Sequence, residues 1–113
     1  MDYSDRQGRA LRPVIARVED AFAMQQLSVG FLGLSHLHPR SYMPLFHAVP
    51  GADVVAVSDA NAGVLDGFTR DFPVRGYAHW QEMLDKERLD IAVLFLPHVE
   101  CPEAAVACAE RGI

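Results

Sequence analysis

Gly33, Ser35, His36 and Asp59 carry the types and spacing that could hold a phosphorylated sugar. Gly33 lies in a short apolar run, Val29 to Leu34, and a segment with helical spacing of apolar residues follows. Strand, glycine turn and helix together make an anion-binding corner. A helix starting just after a strand aims unpaired N–H groups and the positive end of its dipole above the turn. A pyrophosphate is the natural guest, and glycine lets the backbone turn sharply and approach it. Ser35 adds a hydroxyl, and the segment through His36 and Leu37 adds further N–H groups. The full fingerprint for such a corner is Gly-x-Gly-x-x-Gly/Ala. With Gly33 in its first place, Ser35 and His38 hold the other two, so an ordinary glycine turn after a buried strand is the competing reading. Asp59 follows a second apolar run, Asp53 to Ser58. Its carboxylate can accept from both hydroxyls of a ribose and would repel a 2′-phosphate. Aspartate is also a good N-cap, so capping the next helix is the alternative.

Other candidates carry less. His36 and His38 lack a third ligand at a metal-binding spacing, so no metal site is expected; His38 is expected to cap or pack near the helix start. Arg40 could meet a phosphate or stay a solvated charge. His98 is either a loop residue beside a ligand or a polar strand end. Cys101 and Cys108 read as small apolar fillers. At seven residues apart on one helix they are separated by about 10 Å, too far for a disulfide.

The bulk numbers bound the class. At 113 residues the chain suits one small domain, and half of its residues are hydrophobic, which implies a globule. A net charge of -5 argues against nonspecific nucleic-acid binding. Two cysteines with no disulfide framework fit a cytoplasmic protein. No apolar run approaches the ~20 residues that span a bilayer, and no apolar secretory core follows the charged Met1 to Arg12.

The elements that must position these residues alternate. Residues 1–26 read as an N-terminal extension, with an amphipathic helix over 13–24 that turns Val14, Ile15, Val18 and Phe22 to one side. An upstream start-site error, with Met24 as the true beginning, is the other reading of this extension. Residues 27–113 read as one domain. After the first strand comes a helix over 39–49 with Tyr42, Met43, Leu45, Phe46 and Val49 on its apolar side. Pro44 either kinks that helix or begins it. Then follow a strand over 53–58, a helix over 61–72, a brief strand over 74–77 and a helix over 79–89. The very apolar strand 90–96 and an alanine-rich helix over 102–111 complete the order, with Gly112 as C-cap. Strand–helix alternation with short connections predicts an incomplete, doubly wound parallel sheet of four strands, helices on both faces, of Rossmann-like α/β class. Ile113 reads as the first residue of a further strand.

Four segments in this order, Ser28 to Gly33, Asp53 to Asp59, Leu89 to Pro97 and Glu103 to Gly112, make the chain resemble the N-terminal domain of the Gfo/Idh/MocA oxidoreductases. The resemblance implies a nicotinamide dinucleotide across the carboxyl ends of the strands. It assigns the pyrophosphate to Gly33, Leu34, Ser35, His36 and Leu37, the adenosine ribose to Asp59, and the rest of the cofactor to the loop Leu96, Pro97 and His98. With an acidic residue at Asp59 and no arginine after it, NAD is expected over NADP. Cys101 stands where relatives often carry histidine. The family's Glu-Lys-Pro motif, whose lysine is catalytic, would fall just past Gly112, and the substrate domain would follow it.

The resemblance thus implies an NAD(P)-binding domain of an oxidoreductase acting on sugars, polyols or similar hydroxyl compounds. The chain as it stands is expected to lack catalytic residues, to bind dinucleotide weakly or not at all, and not to turn over. The alternatives are a non-catalytic nucleotide-sensing or partner-binding domain, with a homo-oligomer formed through the open sheet edge or the N-terminal helix, and a truncated gene product.

Overall fold

A computed structural model describes residues 26–113. The helix expected over 13–24 and its proposed partner face lie outside the described residues. Four strands and four helices alternate: β1 (Leu27–Leu32), α1 (His38–Ala48), β2 (Ala52–Ser58), α2 (Ala62–Asp71), β3 (Arg75–Tyr77), α3 (Trp80–Lys86), β4 (Ile91–Leu94) and α4 (Cys101–Glu110). All strand pairs are parallel, in the order β3-β2-β1-β4. The chain steps outward from β1 to β3, then crosses back to lay β4 on the other side of β1. That reversal opens a crevice at the carboxyl ends of β1 and β4.

Each face of the sheet carries its own core. Val29 and Phe31 of β1 join Val54 and Val57 of β2, Met43 of α1 and Phe68 of α2. On the other face Leu32 and Ala56 meet Met83 and Leu84 of α3, and Ala104 and Cys108 of α4. Strict alternation would put Val54 and Val57 on opposite faces. They share one because the register slips between Val29 and Gly30, leaving Val55 as an extra residue on β2. Burial pushes the Cys108 thiol above its ordinary pKa, as expected of an inert filler.

Helix α1 departs from expectation. It begins at His38 and runs through Pro44 without restarting there. Pro44 leaves the Arg40 carbonyl without its helical donor, but both residues are exposed, so water can replace it. Only Pro39, Met43 and Phe46 turn toward the sheet. Leu45 and Val49 are more than half exposed and Tyr42 is partly so, because a stripe at i, i+4 and i+7 is all that one face of a short helix can bury. Arg40 is not a free charge. It pairs with Asp71 at 2.8 Å and lies over the rings of Phe68 and Phe72, clasping α1 to α2.

Strand β3 is short and sits at a sheet edge, so it needs an anchor. Arg75 Nε donates to Glu87 at 2.7 Å, a second guanidinium nitrogen donates to the other carboxylate oxygen, and the Tyr77 hydroxyl also donates to Glu87. The Glu87 side chain is only 8% exposed, whereas Arg75 is 63% exposed. The Arg75 hydrogen bond holds the Glu87 carboxyl below the usual range against the opposing effect of burial, and the Tyr77 bond helps. Glu87 in turn raises the Tyr77 hydroxyl. No helix among the described residues is long and apolar enough to cross a membrane.

A carboxylate whose pKa is lowered on folding stabilises the fold above its unfolded pKa, and that contribution fades as pH falls through the folded value. Glu87→Gln is therefore expected to cost about 1–2 kcal/mol at neutral pH. The gap between variant and parent should close in acid below the usual carboxylate range. Urea melts of both proteins across pH would measure it, and a gap that persists unchanged into acid would refute the assignment.

Candidate functional site

The crevice at the strand tips is a cavity of about 610 Å³, and every strand end contributes to it. Gly33, Ser35 and His36 follow β1, and Ser58, Asp59, Ala60 and Asn61 close β2. Ala78, His79, Trp80 and Gln81 follow β3, and Phe95, Leu96, Pro97 and Glu100 follow β4.

Gly33 is required by its surroundings. Its φ is +92°, and an added Cβ would lie 2.9 Å from the Phe95 backbone and 3.0 Å from the Leu96 nitrogen. Sequence reasoning ascribed its close approach to a ligand. The structure adds a second approach, to the β4 backbone, which any side chain here would push away. Gly33 N–H donates to Ser58 O at 2.9 Å and Phe95 N–H to Leu32 O at 2.7 Å, so three strand ends lock together at this turn.

Asp59 ties the same turn to β2. Its Oδ2 accepts from the Leu34 N–H at 2.8 Å and from the Ser35 hydroxyl at 3.1 Å, while Oδ1 accepts from the Asn61 N–H at 2.8 Å. The expected N-cap role falls instead to Asn61, whose Oδ1 accepts from the Val64 N–H at 3.1 Å. The reason is reach. The first turn of α2 starts three residues past Asp59, so Asn61 is the residue placed to cap it. Three of roughly four acceptor sites on the Asp59 carboxylate are thus engaged. A diol accepted by both oxygens would displace the Ser35 hydroxyl.

The glycine turn does not run straight into a helix. Residues 33–37 form a loop, α1 starts at His38, and no residue of α1 lines the cavity. Pro39 in the first turn has no N–H to offer. The polar groups this corner brings to the cavity come from the loop residues Ser35 and His36 and not from the first turn of α1. His38 makes no cap; its ring stacks on His36 with centroids 5.9 Å apart and tilts against Tyr42. No group of three or more potential metal ligands gathers among the described residues.

Of the residues singled out from sequence, Gly33, Ser35, His36, Asp59, Leu96 and Pro97 come together around the cavity. Leu34 is buried, with its N–H spent on Asp59. Leu37 is 86% exposed and His98 is also exposed; neither lines the cavity. Ala60, Asn61, the wall from Ala78 to Gln81, Phe95 and Glu100 also line the cavity without being singled out from sequence, where Trp80 and Phe95 read as core. Their signal is positional: each lies in the first residues after a strand, where a parallel sheet gathers its loops.

No protein-family model matches the chain, and no curated protein does. Solved structures share its fold. A myo-inositol 2-dehydrogenase from Lactobacillus plantarum aligns with a TM-score of 0.71 and 22% identity, over 79% of this chain and 26% of that one. The WlbA dehydrogenase from Chromobacterium violaceum, in complex with NADH and UDP-GlcNAcA, gives 0.71 and 21% over the same shares. An oxidoreductase from Agrobacterium radiobacter, in complex with NAD+, L-tartaric acid and magnesium, gives 0.74 and 16%, again over 79% and 26%. The described fold is thus a Rossmann-like α/β domain found in dehydrogenases, and the chain spans about a quarter of the length of these structures.

Gly33→Ala combines a positive φ with a backbone clash, and is expected to cost about 2–4 kcal/mol. Chemical denaturation would read the loss. A Gly33→Ala protein as stable as the parent would remove the turn from its role as the junction of the strand ends.

Proposed function

We propose that this chain is the nicotinamide-dinucleotide-binding domain of a Gfo/Idh/MocA-type oxidoreductase acting on sugars, polyols or similar hydroxyl compounds, with NAD preferred over NADP. One observation carries the proposal: Asp59 at the tip of β2 and the Gly33 turn at the tip of β1 line one open cavity at the point where the strand order reverses. Open parallel sheets bind their ligands at that point. The resemblance in sequence and the likeness in fold to dehydrogenases support the same reading.

The residues present suit such a cofactor. The cavity is of the size that holds a small-molecule ligand. The Asp59 carboxylate would accept from the adenosine ribose hydroxyls, with Ser35 turning its hydroxyl from Asp59 toward the pyrophosphate. The Ser35 and His36 amides would hold the phosphate oxygens. The wall of Ala78, His79, Trp80 and Gln81 would flank the adenine, and Phe95, Leu96 and Pro97 would line the nicotinamide half. Bound there, the cofactor would supply the hydride acceptor or donor. This chain would bind and orient it and would exclude water along Phe95 and Leu96. Proton transfer at the substrate hydroxyl oxygen belongs, on this reading, to groups other than the cavity residues named here.

The preference for NAD rests on charge. A 2′-phosphate would sit against the Asp59 carboxylate, and among the described residues no lysine or arginine lines the cavity to offset it. Calorimetric titration of the chain is expected to give weak binding of NAD and at least about tenfold weaker binding of NADP. Asp59→Asn should narrow that gap by weakening NAD. Equal affinity for the two cofactors in the parent protein would overturn the preference, and no binding of either would overturn the reading.

A further inference from the structure

We propose that Glu100 makes the cavity discriminate the redox state of its ligand, favouring an oxidised, cationic nicotinamide ring over the reduced, neutral one. The inference rests on the dinucleotide reading above. The strand order fixes the sequence of contacts along the crevice. A molecule laid across it meets the loop after β3, then Asp59 after β2, then the Gly33 turn after β1, and last the loop after β4. With the adenosine ribose on Asp59 and the pyrophosphate over the Gly33 turn, the remaining half lies against Phe95, Leu96, Pro97 and Glu100.

Among the described residues Asp59 and Glu100 are the two carboxylates of the cavity lining, which otherwise holds two histidines and no lysine or arginine. The two carboxylates differ in what holds them. Asp59 accepts three hydrogen bonds and is spent on fold and ribose. The Glu100 side chain makes no hydrogen bond or ion pair among the described residues. Although Glu100 occupies the N-cap of α4, its side chain does not cap it. The backbone does the local work: Glu100 N–H donates to Pro97 O at 2.9 Å, and Glu100 O accepts from Ala104 N–H at 3.2 Å. The capping hydrogen bonds therefore rest on the main chain, and Glu100 lines the cavity together with Phe95, Leu96 and Pro97, with no lining lysine or arginine among the described residues to neutralise it.

A cationic ring over that segment gains from the carboxylate, and a neutral ring does not. The rest of the dinucleotide is identical in the two states, so the carboxylate acts on their difference alone. Glu100 is exposed, so solvent screening keeps the effect modest. The expected preference for NAD+ over NADH due to Glu100 is about threefold to tenfold.

The test uses the full 113-residue chain, titrated at neutral pH with NAD+, NADH and ADP-ribose, which lacks the ring. The parent should bind NAD+ more tightly than NADH. Glu100→Gln, which keeps size and polarity at an exposed position, should weaken NAD+ about threefold to tenfold and leave NADH and ADP-ribose unchanged. Loss of all three affinities together in Glu100→Gln would make the residue a general support of the cleft and overturn the assignment. An unchanged ratio of NAD+ to NADH would also overturn it, while ADP-ribose binding that persists would keep the dinucleotide reading. Failure of ADP-ribose to bind the parent would sink the dinucleotide reading and this inference with it.

Discussion

Backbone meets backbone where Gly33 touches Phe95 and Leu96, and the crevice takes its shape from that contact. A parallel sheet leaves its strand tips without the tight hairpins that bind antiparallel neighbours together. Something else must hold the loops of β1, β2 and β4 in register. Here the Gly33 N–H bonds to Ser58, the Phe95 N–H bonds to Leu32, and the absence of a side chain at Gly33 lets the β4 loop close against the turn. The floor of the cavity is therefore main chain, which leaves the side chains of the four loops free to form its walls.

Asp59 works on top of that floor. It gathers the Leu34 amide, the Ser35 hydroxyl and the Asn61 amide around one carboxylate, so the turns after β1 and β2 move together. The same oxygens are those a ribose would need. Holding the loop and reading a sugar would thus compete for one group, with the longer Ser35 hydroxyl bond the first to give way. The clasps elsewhere, Arg40 on Asp71 and Arg75 on Glu87, sit between elements rather than in the crevice. They keep α1 against α2, and β3 against the end of α3, where the Ala78 to Gln81 wall begins.

Much of this could be read from the chain itself. The strand and helix order, the Asn61 to Phe72 segment and the Gly112 terminus of α4 follow from local patterning, and the bounds of the described elements agree with them to within three residues. Asp59 was legible because an acidic residue directly after a buried, β-branched run has a known place in a parallel sheet. The Pro44 helix was ambiguous because proline chemistry is local, whereas its tolerance depends on whether the orphaned carbonyl can reach water. The extra residue at Val55 was invisible, since its signature is a slip against β1 and not a change in composition.

Hydrophobic period, turn residues and the spacing of strand ends determined on their own that this protein alternates strands and helices and carries a glycine turn and a carboxylate at two strand tips. These are interactions between near neighbours in sequence, so the sequence alone contains them. Which helix Arg40 clasps, which donors fill Asp59, and that Glu100 and His79 face the same cavity were decided by the tertiary structure. Apart from the local Asn61 N–H on Asp59, those pairings join residues more than twenty positions apart, and they arise only once the order of the strands and the crossing from β3 back to β4 have brought the loops to one end of the sheet.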